Sequence, residues 1–234
     1  KQKLLFTSLD SIRYNINRKQ KNLKFFEFDK AYSLEEKEYK ESSKIGIYIT
    51  GLKQEEHFVN KPENVSFFDV INITNKVLNI ARISDFETKP KADSKTLDMC
   101  VEIISNGVVL GEIGMVKKEI LKTFEISQDV YHAEIDWPNL IMNFDKEFKF
   151  SEIPKFPQVQ RDLSLVMNKD VKYNDVISVI DLNKNKILKK VSLYDIYEGD
   201  SIGSNRIAYS MRFILQDESK TLGEKEINST MDKL

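Results

Sequence analysis

Three phrases in the last third of the chain decide how it folds. They are Lys155-Phe156-Pro157-Gln158-Val159-Gln160-Arg161-Asp162-Leu163-Ser164-Leu165-Val166, then Val191-Ser192-Leu193-Tyr194-Asp195-Ile196-Tyr197-Glu198-Gly199, then Arg206-Ile207-Ala208-Tyr209-Ser210-Met211-Arg212-Phe213. A helical pattern lies between the first two, a short loop between the second and third, and Thr221-Leu222-Gly223-Glu224-Lys225-Glu226 follows. Strand, helix, strand, strand, helix is the order of a split βαβ unit. Side chains alternate along a strand, so Ile207, Tyr209, Met211 and Phe213 share one face and Arg206, Ala208, Ser210 and Arg212 the other. The apolar set is expected to pack on two helices that carry Val176, Ile177, Val179, Ile180 and Ile227. On the preceding strand, pointing Tyr194 and Ile196 into that core leaves Asp195 and Tyr197 on the open face.

The open face would then gather Asp195, Tyr197, Arg206, Ser210 and Arg212. Such a set suits a single-stranded RNA loop. An aromatic ring is a stacking platform worth about 1–3 kcal/mol per base. A carboxylate accepts from an exocyclic amine or a guanine edge, and arginines meet phosphates or bases. The residues alone leave a second reading open, a solvated polar face with one exposed tyrosine.

Upstream, Leu5, Leu9, Ile12 and Ile16 recur at helical spacing and predict an amphipathic helix from about 4 to 19. Phe25–Phe28 and the alternation Ile45, Ile47, Ile49 predict strands, and Gly51 to Pro62 a loop. Phe68, Ile71, Val77 and Ile80/Ala81 are expected on one face of a second helix. Asn106-Gly107 between two apolar runs is a two-residue hairpin signal, because both central positions need positive φ. A short helix near 118–124 and a strand at 130–135 complete an antiparallel sheet with helices against it, an α+β arrangement. The stretch from Asn143 to Pro154 and Pro157 reads as a linker, since the residue before a proline is held extended, and places a boundary near 149.

Bulk composition narrows the classes. The formal net charge is −1, so no global basic field announces nucleic acid and any RNA contact must be local. Cys100 is the only cysteine, which excludes an intrachain disulfide and fits a reducing, cytoplasmic setting. No run approaches membrane-spanning length. His57 and His132 stand far apart with no partner at metal spacing, so both are expected to be packing or surface residues. Phosphate-loop, dinucleotide and nucleophile-elbow signatures are missing, and Gly111-Glu112-Ile113-Gly114 is too short to cradle a phosphate. The chain lacks an initiator Met and stops inside an apparent helix at Met231-Asp232-Lys233-Leu234, the look of a fragment.

The wording of the three phrases resembles the anticodon-binding domain of the bacterial phenylalanyl-tRNA synthetase β-subunit family. The shared wording is the Lys155-Phe156-Pro157 and Arg161-Asp162-Leu163 opening, the Leu193-Tyr194-Asp195-Ile196-Tyr197 strand, the strand from Ile207 to Phe213, and Gln216-Asp217 with Thr221–Ile227. Further upstream, Ser8-Leu9, Tyr14–Arg18, Phe26-Glu27-Phe28, Phe67–Val70, Gly111–Val116 and Glu134-Ile135-Asp136 are similar to the family's catalytic-like module. The resemblance implies a class II synthetase-like antiparallel sheet domain over 1–149, without catalytic residues, followed by a ferredoxin-like split βαβ domain over 150–234 that lacks its last strand. It implies tRNA-Phe and a catalytic α subunit in an (αβ)2 heterotetramer as partners, with neither membrane nor DNA. ATP and Mg are implied for the whole enzyme and no cofactor for this fragment. The family's anticodon contacts map onto Asp195 and Tyr197. Arg206 stands where a small polar residue is usual. Two rival readings are a ferredoxin-like amino-acid-sensing module and an independent enzyme on the N-terminal sheet.

Overall fold

The computed structural model describes residues 2–35, 37–55, 57–59, 61–144, 150 and 152–234. The chain divides into two compact units, Lys1–Phe148 and Lys149–Leu234. The boundary expected at 149 lies outside the described residues.

The first unit is built on six antiparallel strands. They are β1 (Leu23–Glu35), β2 (Glu38–Thr50), β3 (Glu87–Pro90), β4 (Leu97–Ser105), β5 (Val108–Val116) and β6 (Val130–Asp136), in the spatial order β1-β2-β6-β5-β4-β3. Alternation along β2 shows how the sheet is covered. Ile47 and Ile49 enter one apolar cluster with Val70 and Leu78 of α2 (Phe67–Ile80) and Leu140 of α4 (Trp137–Met142). Tyr48, between them, enters the opposite cluster with Leu5, Leu9 and Ile12 of α1 (Leu5–Ile16) and Leu121 of α3 (Lys118–Thr123). The middle of the sheet is therefore covered on both sides, while β3 and the first residues of β2 stay exposed.

Local chemistry sets the ends of these elements. Asn106 and Gly107 take φ of 51° and 75°, the left-handed pair that the hairpin joining β4 and β5 requires. Helix α2 starts where the Ser66 amide and hydroxyl both donate to the Asp69 carboxylate, at 2.7 and 2.5 Å. Its buried face is Val70, Thr74 and Leu78; of the face expected, Ala81 is buried and Ile71 and Val77 pack on the same core, while Phe68 and Ile80 are 72% and 80% exposed. Those two lie off the stripe that repeats every fourth residue from Val70. The short β3 and α4 had no sequence expectation. Helix α4 is opened by the Asp136 carboxylate, which accepts from the Asn139 amide at 2.9 Å, with Pro138 in the first turn.

The second unit runs β7 (Val159–Asn168), α5 (Tyr173–Asn183), β8 (Leu188–Tyr197), a single 3-10 turn at Asp200–Ile202, β9 (Arg206–Leu215) and α6 (Glu224–Met231). The sheet order is β7-β9-β8, both outer strands antiparallel to β9. That is the split βαβ arrangement. Ile180 of α5 packs on Tyr209, Met211 and Phe213, while Ile227 of α6 packs on Leu215 and Leu222. Among the described residues, the far edge of β7 has no strand partner.

Candidate RNA-binding face

With the helices on one side, the parity of β9 decides what the other side shows. Tyr209, Met211, Phe213 and Leu215 are buried, while Arg206 is exposed and Ser210 and Arg212 are half-buried. Register then brings neighbours alongside. Asn168 lies opposite Arg206, Ser164 opposite Ser210 and Asp162 opposite Arg212 on β7. On β8, Tyr197 lies opposite Ala208 and Asp195 opposite Ser210. The sheet thus carries Asp195, Tyr197, Arg206, Ser210 and Arg212 on one face.

Each has its own surroundings. The Ser210 and Ser164 hydroxyls are hydrogen-bonded at 3.1 Å. The Tyr197 ring, 46% exposed, bends over the Gly199 backbone, where a Cβ would strike its ring and hydroxyl. Its hydroxyl meets the Ser201 hydroxyl at 2.9 Å in the 3-10 turn. Glycine at 199 is therefore what lets this ring lie down. Arg206 starts β9 directly after a turn in which its amide donates to the Gly203 carbonyl at 3.1 Å, with Gly203 at φ 95°. The Arg206 and Asp195 side chains have no side-chain partner among the described residues.

Arg212 is different. Its Nε and Nη2 each donate to one Asp162 carboxylate oxygen at 2.9 Å, a bidentate fork. These hydrogen bonds hold the Asp162 carboxyl below its usual range and raise the guanidinium further. The same guanidinium lies 4.9 Å from the centroid of the Tyr194 ring.

The Tyr194 contact corrects the sequence expectation. Tyr194 was expected in the core with Ile196. Instead, β8 shifts register between Leu193, opposite Met211, and Asp195, opposite Ser210. The extra residue is a bulge, and it turns Tyr194 to the Arg212 side, leaving it 54% exposed. Ile196 keeps the helix-side register opposite Tyr209 but stays half-exposed, outside the core. Nothing in the local composition marks the bulge, so strand parity alone could not find Tyr194.

The larger sheet has a polar row of its own. Register aligns Glu102, Glu112 and Glu134 across β4, β5 and β6. Lys3 meets Glu112 at 2.7 Å, Lys91 meets Glu112 and Glu102 at 3.0 Å, and Lys44 lies 3.7 Å from Glu134 and 3.6 Å from Asp136. Burial raises the Glu112 carboxyl, but the two lysine hydrogen bonds outweigh it and hold the group below its ordinary range. These side chains line a cleft of about 360 Å³. Its three lysines are already matched by four carboxylates, so it offers no spare positive charge to a triphosphate. The residues therefore do not fit ATP with its Mg ion, and no chemical step is assigned to this cleft. Beneath it, His132 is fully buried, stacked on Tyr48 with ring centroids 4.6 Å apart and Nδ1 3.2 Å from the Ile47 carbonyl oxygen. Burial lowers its pKa to about 4, which makes it a neutral packing residue. Among the described residues no cluster of His, Cys, Asp or Glu is arranged to hold a metal, and no helix is long and apolar enough to cross a membrane.

Comparison with known proteins gives a consistent picture. Residues 1–137 match the family model described as the phenylalanyl tRNA synthetase beta chain CLM domain. Residues 154–234 match the ferredoxin-fold anticodon binding domain. Among curated relatives, the phenylalanine–tRNA ligase beta subunit of Bacteroides fragilis (strain ATCC 25285) is 32% identical over 100% of this chain and 30% of that protein. That of Porphyromonas gingivalis (strain W83) is 30% identical with the same coverage. That of Bacillus subtilis (strain 168) is 28% identical over 97% of this chain and 28% of its own length. The chain thus spans under a third of these relatives. Two solved structures of pyrrolysyl-tRNA synthetase from Desulfitobacterium hafniense align over 61% and 59% of this chain and 49% and 48% of theirs. Their TM-scores are 0.48 and 0.45, at 16% and 18% identity.

Proposed function

Because the chain belongs to the phenylalanyl-tRNA synthetase β-subunit family, we propose that residues 150–234 bind the anticodon loop of tRNA-Phe. Residues 1–149 form a non-catalytic module that scaffolds the α subunit in an (αβ)2 assembly. The whole enzyme joins phenylalanine to tRNA in the cytoplasm with ATP and Mg, and this segment contributes recognition rather than bond making.

One observation carries the reading. The sheet of the second unit brings to one open face an exposed tyrosine ring and a carboxylate and an arginine that are unpaired among the described residues, flanked by serine hydroxyls. Tyr197 is a platform for an unstacked base. Asp195, one residue pair along the same face, can accept from an exocyclic amine or a guanine edge. Arg206, Ser210 and Arg212 extend the polar rim. The charge is local, which agrees with a chain of net charge −1.

The test is tRNA-Phe binding by the whole synthetase with Tyr197→Ala or Asp195→Ala in this chain. Tyr197→Ala should weaken binding by about 1–3 kcal/mol. Unchanged affinity in both variants rejects the site. Saturable phenylalanine binding by this unit without RNA binding would instead favour an amino-acid-sensing module.

A further inference from the structure

We propose that this face holds a second base-stacking seat, the Tyr194 ring, and that Arg212 is its positioning residue rather than a contact to phosphate. The inference rests on the RNA-binding reading of the face and goes beyond it in naming a second nucleotide and a different role for Arg212.

Four observations converge. First, the bulge in β8 turns Tyr194 out of the helix-covered side, a conformation that leaves a large ring half in solvent. Second, Arg212 lies over one face of that ring, 4.9 Å from its centroid, while the residue as a whole stays 54% exposed. Third, the Nε–Nη2 edge of Arg212 is spent in the bidentate pair with Asp162. With the Gln160 amide turned so that both its ends are satisfied, its oxygen accepts from the same guanidinium at 2.9 Å. An arginine bound in this way has its charge offset by a carboxylate and its plane fixed beside the Tyr194 ring; its remaining N–H donors point away from this pair, and what they contribute to an RNA phosphate is what the salt slope below reads. Fourth, the uncommitted positive charges on the face lie at its two ends. Arg206 stands at one end of β9, and Lys190 lies opposite Ile214 at the other. Neither has a side-chain partner among the described residues.

Geometry gives the ligand its form. Tyr194 and Tyr197 are three residues apart on one strand, on the order of 10 Å. Bases in a continuous stack are about 3.4 Å apart, so the two rings are too far apart to stack on one another and each offers a separate seat. They suit two bases splayed from a single-stranded loop, as aromatic side chains on other RNA-binding sheets receive two or three bases. Asp195 lies between the rings in sequence.

Binding of tRNA-Phe carrying 2-aminopurine at single anticodon-loop positions tests this in the whole synthetase. Tyr194→Ala should weaken binding by about 5- to 150-fold and relieve quenching at a position other than the one relieved by Tyr197→Ala. Tyr194→Phe should retain both affinity and quenching. Arg212→Gln should relieve quenching at the Tyr194 position while leaving the slope of log K against log salt unchanged. Arg206→Gln and Lys190→Gln should each reduce that slope by about 0.7. If Tyr197→Ala weakens binding and Tyr194→Ala does not, the second seat is wrong and the RNA-binding reading survives. Unchanged binding in both overturns both. A slope reduced by Arg212→Gln returns Arg212 to the phosphates and overturns its positioning role.

Discussion

At the scale of single residues, His132 shows how burial turns a titratable group into a structural one. Its ring is sandwiched against Tyr48, one ring nitrogen faces a backbone carbonyl, and Glu112 and Lys3 act on it in opposite senses. Burial is the largest of these effects, and the folded pKa is about 4 against 6.5 for a free imidazole. The unfolded chain therefore binds the proton more readily. The neutral ring contributes its full stability above about pH 6.5, and that stability is lost as pH falls from there toward 4. A shift of this size is worth about 3 kcal/mol. Urea unfolding of the chain between pH 7 and 4.5 should show this loss, and His132→Phe should flatten it. An unaltered pH dependence in the variant would assign the acid sensitivity to other groups. The stacked partner has an exception of its own, since the Tyr48 hydroxyl is buried with no hydrogen-bond partner among the described residues.

At the scale of elements, the β8–β9 pair makes the sharpest demand on backbone. Tyr197 can lie down only because residue 199 has no Cβ, and Gly199 itself has extended backbone that any residue adopts. Gly199→Ala should therefore fold normally, with stability changed by under about 0.5 kcal/mol as at other surface sites. The added methyl would push the Tyr197 ring off the Ser201 hydroxyl and out of its seat. Weaker tRNA-Phe binding at unchanged melting temperature is the expected result. Undiminished binding would mean that the ring finds its seat without Gly199. The same pair shows what was legible beforehand. Period-two alternation placed Asp195, Tyr197, Arg206, Ser210 and Arg212 on a common face, because the residues of β9 buried against the helices fix which side the alternate ones take. Tyr194 was misplaced because one inserted residue inverts parity and leaves no compositional trace. Helix α2 was found from its apolar spacing, but the one face expected for Phe68, Ile71, Val77 and Ile80/Ala81 is split, with Ala81 buried and Phe68 and Ile80 exposed. Several stripes fit so apolar a helix, and only its packing selects Val70, Thr74 and Leu78. The short β3 and α4 were too brief for any periodicity to register.

At the scale of the whole molecule, the two units carry their polar residues to opposite effect. On the smaller sheet, Asp195 and Arg206 are exposed with no side-chain partner among the described residues, so their charge is available to a ligand. On the larger sheet, Lys3, Lys44 and Lys91 are tied to Glu102, Glu112, Glu134 and Asp136, so charge is spent inside the fold. A site that activates an amino acid with ATP must meet the developing charge on phosphate with preorganised cations. The larger sheet presents a surplus carboxylate instead. The purified chain should accordingly give no ATP–pyrophosphate exchange with phenylalanine at any ATP concentration. Lys91→Gln should lower unfolding stability, because it leaves the largely buried Glu112 with one partner fewer. If exchange appears, and falls away in Lys91→Gln at unchanged stability, these lysines belong to an active site and the scaffold reading of this unit fails.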